Sequence, residues 1–264
     1  MGSSLFTILL LRERGVTMDN LMLNNKIYLE GKIVSELEFS HEMYGEGFYS
    51  FNLEVMRLSD SVDMLNITVS ERLLTGIDIT IGKDIIVEGQ LRSYNKFMDG
   101  TNKLILTVFA RNIEPCIERS KNPNEIFLDG YICKEPVYRT TPFGREIADV
   151  LLAVNRAYNK SDYIPTIAWG RNSRFCQTLS VGDNIRVWGR LQSREYQKKI
   201  TETEAVKKIA YEVSISKMEK VGKEESASQG KYLNSPETPV FNKRQILFAF
   251  NKAHRSPSSA ALAR

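Results

Sequence analysis

Gly82–Ser93 reads GKDIIVEGQLRS, and Gly182–Ser193 reads GDNIRVWGRLQS. Each stretch opens on a glycine with a polar neighbour, runs on through β-branched residues, and carries a second glycine within the run, at Gly89 and Gly189. This pattern predicts strands, and a glycine inside a strand is costly unless the strand bends or bulges there, as the wall of a small barrel does. Working outward, Asn25–Gly31 (NKIYLEG) returns as Asn124–Gly130 (NEIFLDG), and Leu53–Arg57 (LEVMR) returns as Leu152–Arg156 (LAVNR), all at nearly the same offset. A period of about one hundred residues is too long for a solenoid unit, so the chain holds two copies of a whole domain.

Each copy reads as five short strands. In the second they are Ile126–Cys133, Glu146–Asn155, Ile164–Trp169, Asn184–Arg190 and Ala210–Lys217, with a helix over Asn172–Leu179 before the turn at Gly182-Asp183. Thr141-Pro142-Phe143-Gly144 suits a tight turn after the first strand. Five strands with a helix between the third and fourth is the OB-fold pattern. The expected fold class is therefore all-β: two tandem OB-fold five-stranded barrels, each with a short helix between strands 3 and 4, plus disordered termini. The expected boundaries are a leader at 1–20, barrel 1 at 21–114, a linker at 115–123, barrel 2 at 124–221 and a flexible tail at 222–264. The apolar run Leu5–Leu11 has no basic segment before it and ends at Arg12-Glu13-Arg14, so it is too short to span a bilayer and is arranged unlike a signal peptide.

The 264 residues suffice for two cores, and with 42% hydrophobic and 26% charged residues the composition is that of a globular protein. A net charge of +4 is too mild to establish a nucleic-acid partner by itself. The three cysteines, Cys116, Cys133 and Cys176, are widely spaced, and only His41 and His254 could join them at a metal. A reduced, cytoplasmic protein without metal or cofactor is expected. Neither His neighbours a candidate nucleophile and no carboxylate cluster has ligand-like spacing, which argues against an enzyme.

Tyr163 and Trp169 lie six apart in one predicted strand, so they share a face, while Ile164, Thr166 and Ala168 take the other. Arginines stand nearby at positions 139, 145, 156, 171, 174, 190 and 194. Aromatics set opposite the core side and surrounded by basic residues suit the stacking of bases and the neutralisation of phosphates.

The second copy resembles the bacterial single-stranded DNA-binding protein family. The resemblance rests on Asn124–Gly130, Glu135–Gly144 (EPVYRTTPFG), Leu152–Arg156, Ile164–Gly170 (IPTIAWG) and Val187–Tyr196 (VWGRLQSREY), in family order. It implies base stacking at Tyr158, Tyr163, Trp169 and Tyr196, and gives weight to Arg139, Arg156, Arg171 and Arg194 as phosphate contacts. It also implies single-stranded DNA as the partner in replication, recombination and repair, and a homodimer that brings four barrels together. Trp188 alternates with Val187 and is left outside the site. The first copy carries Met64 and Ser70 where the second has Tyr163 and Trp169, so it should bind more weakly unless Tyr94, Phe97 or the Tyr44–Phe51 loop compensates. Family members usually end in an acidic tip that recruits replication and repair proteins. From Val221 onward this sequence has seven Lys or Arg (223, 231, 243, 244, 252, 255, 264) against three Glu (224, 225, 237), and it ends SPSSAALAR. The alternative reading is an OB-fold docking module of the primosome type with weak DNA binding.

Overall fold

The computed structural model describes residues 23–59, 61–98, 100–157, 160–199 and 205–222, with only the backbone at 196–199 and 205–208. The predicted leader, and the tail beyond Gly222, lie outside the described residues. Twelve strands run in chain order: β1 Asn25–Ile33, β2 Glu38–Met43, β3 Glu46–Met56, β4 Val62–Ser70, β5 Asp84–Met98, β6 Thr101–Pro115, β7 Asn124–Ile132, β8 Val137–Thr140, β9 Glu146–Arg156, β10 Lys160–Trp169, β11 Asn184–Lys199 and β12 Ala205–Lys220. They form one sheet in the order β2-β3-β4-β6-β5-β1-β7-β11-β12-β10-β9-β8, which closes on itself twice through the additional pairings β1–β3 and β7–β9.

Each closure has the OB arrangement. In the first, β1, β3 and β4 are followed by the β5–β6 hairpin, whose second strand returns parallel to β4 at Ile67↔Val108. In the second, β12 returns parallel to β10 at Thr166↔Val213. A parallel return cannot be made by a tight hairpin and needs a crossover, which here contains the short helical segment. In the second barrel that segment is α1, Arg171–Cys176, which turns Cys176 onto the core. It is shorter than the predicted Asn172–Leu179. In the first barrel the corresponding segment is a single 3-10 turn at Glu71–Leu74, capped by Ser70 through the Arg72 N–H, rather than an α-helix. Gly76 and Ile77-Asp78-Ile79-Thr80, in which three of four residues are β-branched, follow at once and leave no room for a longer helix.

The interior of both barrels is built from alternate strand residues. Leu29, Leu53, Leu65, Ile67, Val87, Leu91 and Val108 fill the first, and Leu128, Leu152, Ile164, Ala168, Val187, Leu191 and Val213 fill the second, all within a single buried cluster. Burying a Leu or Val side chain of this kind contributes about 1.5–3 kcal/mol. Gly89 and Gly189 sit at bulges where the register slips, and a Cβ there would lie 2.2 Å from the Phe109 carbonyl oxygen and 2.1 Å from that of Ser214. The repeated glycine therefore marks the point where two backbones come too close for a side chain.

The barrels meet edge to edge through β1 and β7, which pair antiparallel with Ile27 opposite Ile126, the same position in each copy. An approximate two-fold axis thus passes between equivalent residues. The side-chain amides of Asn25 and Asn124 repeat one clasp, each donating to a leucine carbonyl and accepting that leucine's N–H: Leu91 at 2.7 and 2.9 Å, Leu191 at 2.7 and 2.9 Å.

Candidate nucleic-acid interface

The β9–β10 ladder pairs every residue from Lys160↔Arg156 to Trp169↔Ile147, which fixes the facing of each side chain. Ile164, Thr166 and Ala168 point into the barrel and are buried. Tyr163 and Trp169 share the outer face, as the spacing predicts. Tyr163 is half-buried against Cys133, Leu151 and Ala153, and burial, then the neighbouring Cys133, pushes its phenol pKa above the usual value. Trp169 stays 38% exposed. It forms one side of an open groove with Asn122, Asn124, Arg145, Arg190 and Ser214. The Nε of Arg190 is buried without a hydrogen-bond partner, although its Nη2 reaches Gln192 at 3.3 Å.

The other anticipated residues fall into distinct situations. Tyr158 lies outside the described residues. The backbone of Tyr196 is in β11, opposite Lys208, and its side chain is likewise outside the description. Arg171 is exposed at the start of α1. Arg139 is held by the buried Asp149 at 2.9 Å, and Arg194 stands 3.5 Å from the buried Glu212. Arg156 is 3.1 Å from Asp162, which is fully buried where the two barrels touch. Arg145 and Arg190 line the groove itself, and each directly follows a motif glycine, Gly144 and Gly189. That adjacency was the signal available in the sequence.

The barrel-to-barrel seam explains one of these placements. Asp162 accepts from Arg156 and Arg92 at 3.1 Å and from the Ser93 N–H at 2.7 Å, so it joins both barrels. Asp63, the equivalent residue in the first barrel, accepts from Arg57 at 2.5 and 2.8 Å and from the Ser193 N–H at 2.7 Å. The Ser93 and Ser193 hydroxyls reciprocate by accepting the Tyr163 and Met64 N–H groups. Arg57 and Arg156 therefore share a structural task, which accounts for the repeated arginine of LEVMR and LAVNR.

On the first barrel Met64 and Ser70 take the places of Tyr163 and Trp169, and its aromatics come from other strands. Phe48 stands opposite Ser70, where the second barrel has Ile147 opposite Trp169. Phe109 lies in β6 where the second barrel has Ser214. His41 stacks on Phe48 at 4.9 Å, Phe48 meets Phe109 at 5.6 Å, and Arg111 lies 5.4 Å over the Phe109 ring. Of these rings Phe48 is buried, Phe109 half-buried and His41 exposed. Trp188, in β11, packs against Phe127 at 5.1 Å, with the Lys217 ammonium 4.2 Å over its ring. Among the described residues no group of three or more His, Cys, Asp or Glu could hold a metal ion.

Residues 123–221 match the single-strand binding protein family. A second match, to the DNA primase catalytic core N-terminal domain, covers 219–254, of which only the first four residues are described. The chain is 38% identical over 81 residues to single-stranded DNA-binding protein 1 of Staphylococcus aureus, covering 28% of this chain and 48% of that one. It therefore spans about half the length of that relative. It is 32% identical over 84 residues to single-stranded DNA-binding protein B of Bacillus subtilis, covering 28% of this chain and 72% of that one. In fold it is similar to the crystal structure of the single-stranded DNA-binding protein from Thermus aquaticus, with a TM-score of 0.59 at 22% identity over 75% of this chain and 93% of that one. With residues 123–221 matched by the family and nearly three quarters of the Bacillus protein covered at 32% identity, this chain belongs to the single-strand binding protein family.

Proposed function

We propose that the chain binds single-stranded DNA without sequence preference, stacking bases on Trp169 and Tyr163 and meeting phosphates with arginines around the groove. The observation that carries this reading is the outward Trp169 in an open groove that Arg145 and Arg190 also line. An indole ring accepts any base at about 1–3 kcal/mol per stack, and guanidinium groups along the same groove suit phosphate oxygens. Tyr158, Tyr196, Arg171 and Arg194 extend the surface, while Arg139 and Arg156 act chiefly by holding Asp149 and Asp162. The protein protects exposed strands during replication, recombination and repair, near the nucleoid in the cytoplasm, and performs no catalysis of its own.

Tyr28, Phe127 and Trp188 project from the outer face of β1, β7 and β11, and this face supports a homodimer of four barrels. Titration with an oligo-dT strand tests the DNA reading: tryptophan emission falls as Trp169 is covered, and salt weakens the complex. A duplex that competes equally well would overturn it.

A further inference from the structure

The sheet ends at β2 on one side and β8 on the other, and among the described residues neither strand has a second neighbour. All six residues of β2 are exposed, as are Val137, Tyr138 and Thr140 of β8. Each edge therefore presents unpaired backbone N–H and C=O groups that another strand could pair with. The two edges hold equivalent places in the two barrels and differ in charge. Residues 35–46 carry Glu36, Glu38, Glu42 and Glu46 with no Lys or Arg, a net −4, whereas residues 134–145 carry Lys134, Arg139 and Arg145 against Glu135, a net 3 − 1 = +2. One residue on each edge is paired within its own barrel, Glu46 with Arg72 and Arg139 with Asp149. Both arms also expose apolar side chains: Phe39 is 62% and Tyr44 fully exposed on the first, and Phe143 is 91% exposed on the second.

We propose that the chain associates with further copies of itself head to tail, the acidic β2 edge of one copy meeting the basic β8 edge of the next. Two β2 edges would set glutamates against glutamates, and two β8 edges would oppose their arginines. Only the unlike pairing brings opposite charges together, and the exposed aromatics at both tips add apolar contact. Such a contact is heterologous, so it either closes into a ring or continues as a filament. A nucleic-acid strand is a poor occupant of β2, because the glutamates repel its phosphates. The contact leaves the outer face of β1, β7 and β11 free and needs neither the homodimer nor bound DNA, while Arg145 of the β8 edge also lines the groove beside Trp169.

The test exchanges the charges of the edges in the full chain. One variant carries Glu36→Lys, Glu38→Lys and Glu42→Lys, which takes residues 35–46 from −4 to −4 + 6 = +2. The other carries Lys134→Glu, Thr140→Glu and Arg145→Glu, which takes residues 134–145 from +2 to 2 − 5 = −3. Sedimentation velocity at low salt should show wild-type species larger than those that persist at high salt. Each variant alone, with two edges of one sign, should lose them, and an equimolar mixture should regain them, since basic β2 then meets acidic β8 and acidic β2 meets basic β8. The proposal is overturned if the wild type shows no salt-sensitive association, as it would if the acidic edge served a basic segment of another protein. It is equally overturned if either variant keeps the association while its circular dichroism stays native, or if the mixture of two folded variants stays apart. The oligo-dT titration of the wild type fails or succeeds independently.

Discussion

At the scale of single residues, two tryptophans with unlike surroundings make binding readable. Trp188 packs on Phe127 beneath Lys217 and should report little, so Trp169→Phe is expected to remove most of the fluorescence quench that oligo-dT produces. Replacing Tyr163 and Trp169 together by Ala should weaken binding at least ten-fold, since two stacks at about 1–3 kcal/mol each are lost. Replacing Met64 and Ser70 by Ala should change it by less than about three-fold, because the first barrel has no ring at either place. A direct binding titration by anisotropy checks both variants. The cysteines offer an independent test of packing. Burial pushes the Cys133 thiol up to about 12 and the Cys176 thiol up to about 11, so both stay protonated at neutral pH and even at pH 9. In the native protein a thiol-specific reagent at pH 8 should label only Cys116, which is partly exposed, and all three should react in denaturant.

At the scale of elements, the repeated glycines are where sequence pattern and geometry agree most closely. A Cβ at residue 189 would lie on the Ser214 carbonyl oxygen, so Gly189→Ala should destabilise the second barrel by at least 1–3 kcal/mol, read as a lower urea midpoint. The five strands of each barrel were legible because inward residues alternate and β-branched residues are dense. The edge strands β2 and β8 were missed: every β2 residue is exposed, and an element with no buried face writes no hydrophobic period. The far half of β11 was also underestimated, because Ser193–Lys199 is polar in sequence except for Tyr196 and writes no hydrophobic period. Tyr163 and Trp169 were legible as a shared face from their spacing. The tie of Arg156 to Asp162 was not, since it needs the contact between barrels, and a basic residue beside a motif reads in sequence as a phosphate ligand. In the first barrel the sequence singles out the Tyr44–Phe51 stretch as a loop, whereas from Glu46 it is strand β3; that Phe109 of β6 joins Phe48 beside Ser70 and Thr68 follows only from the pairing register.

At the scale of the whole molecule, the buried aspartates bind the two barrels into one unit. Asp162→Ala would leave Arg92 and Arg156 facing each other without their carboxylate, and losing one member of a buried ionic cluster typically costs about 3–5 kcal/mol. Urea unfolding should show that loss. Light scattering on the purified chain at high salt, where the edge-to-edge contact is screened, should give a mass near twice that of one chain, and a stable monomer would refute the four-barrel assembly. The antiparallel pairing of β1 with β7 joins equivalent residues across a near-dyad, as two separate subunits would, yet both strands belong to one polypeptide and are tethered by the short segment 116–123. A tether of that length holds its ends at an effective concentration on the order of millimolar, so this pairing does not dissociate on dilution. Nor does it oblige the partners to be alike. In a true homodimer every substitution is copied across the axis, whereas here each half changes alone, so one barrel could keep its tryptophan while the other gave up that ring and gained an acidic edge.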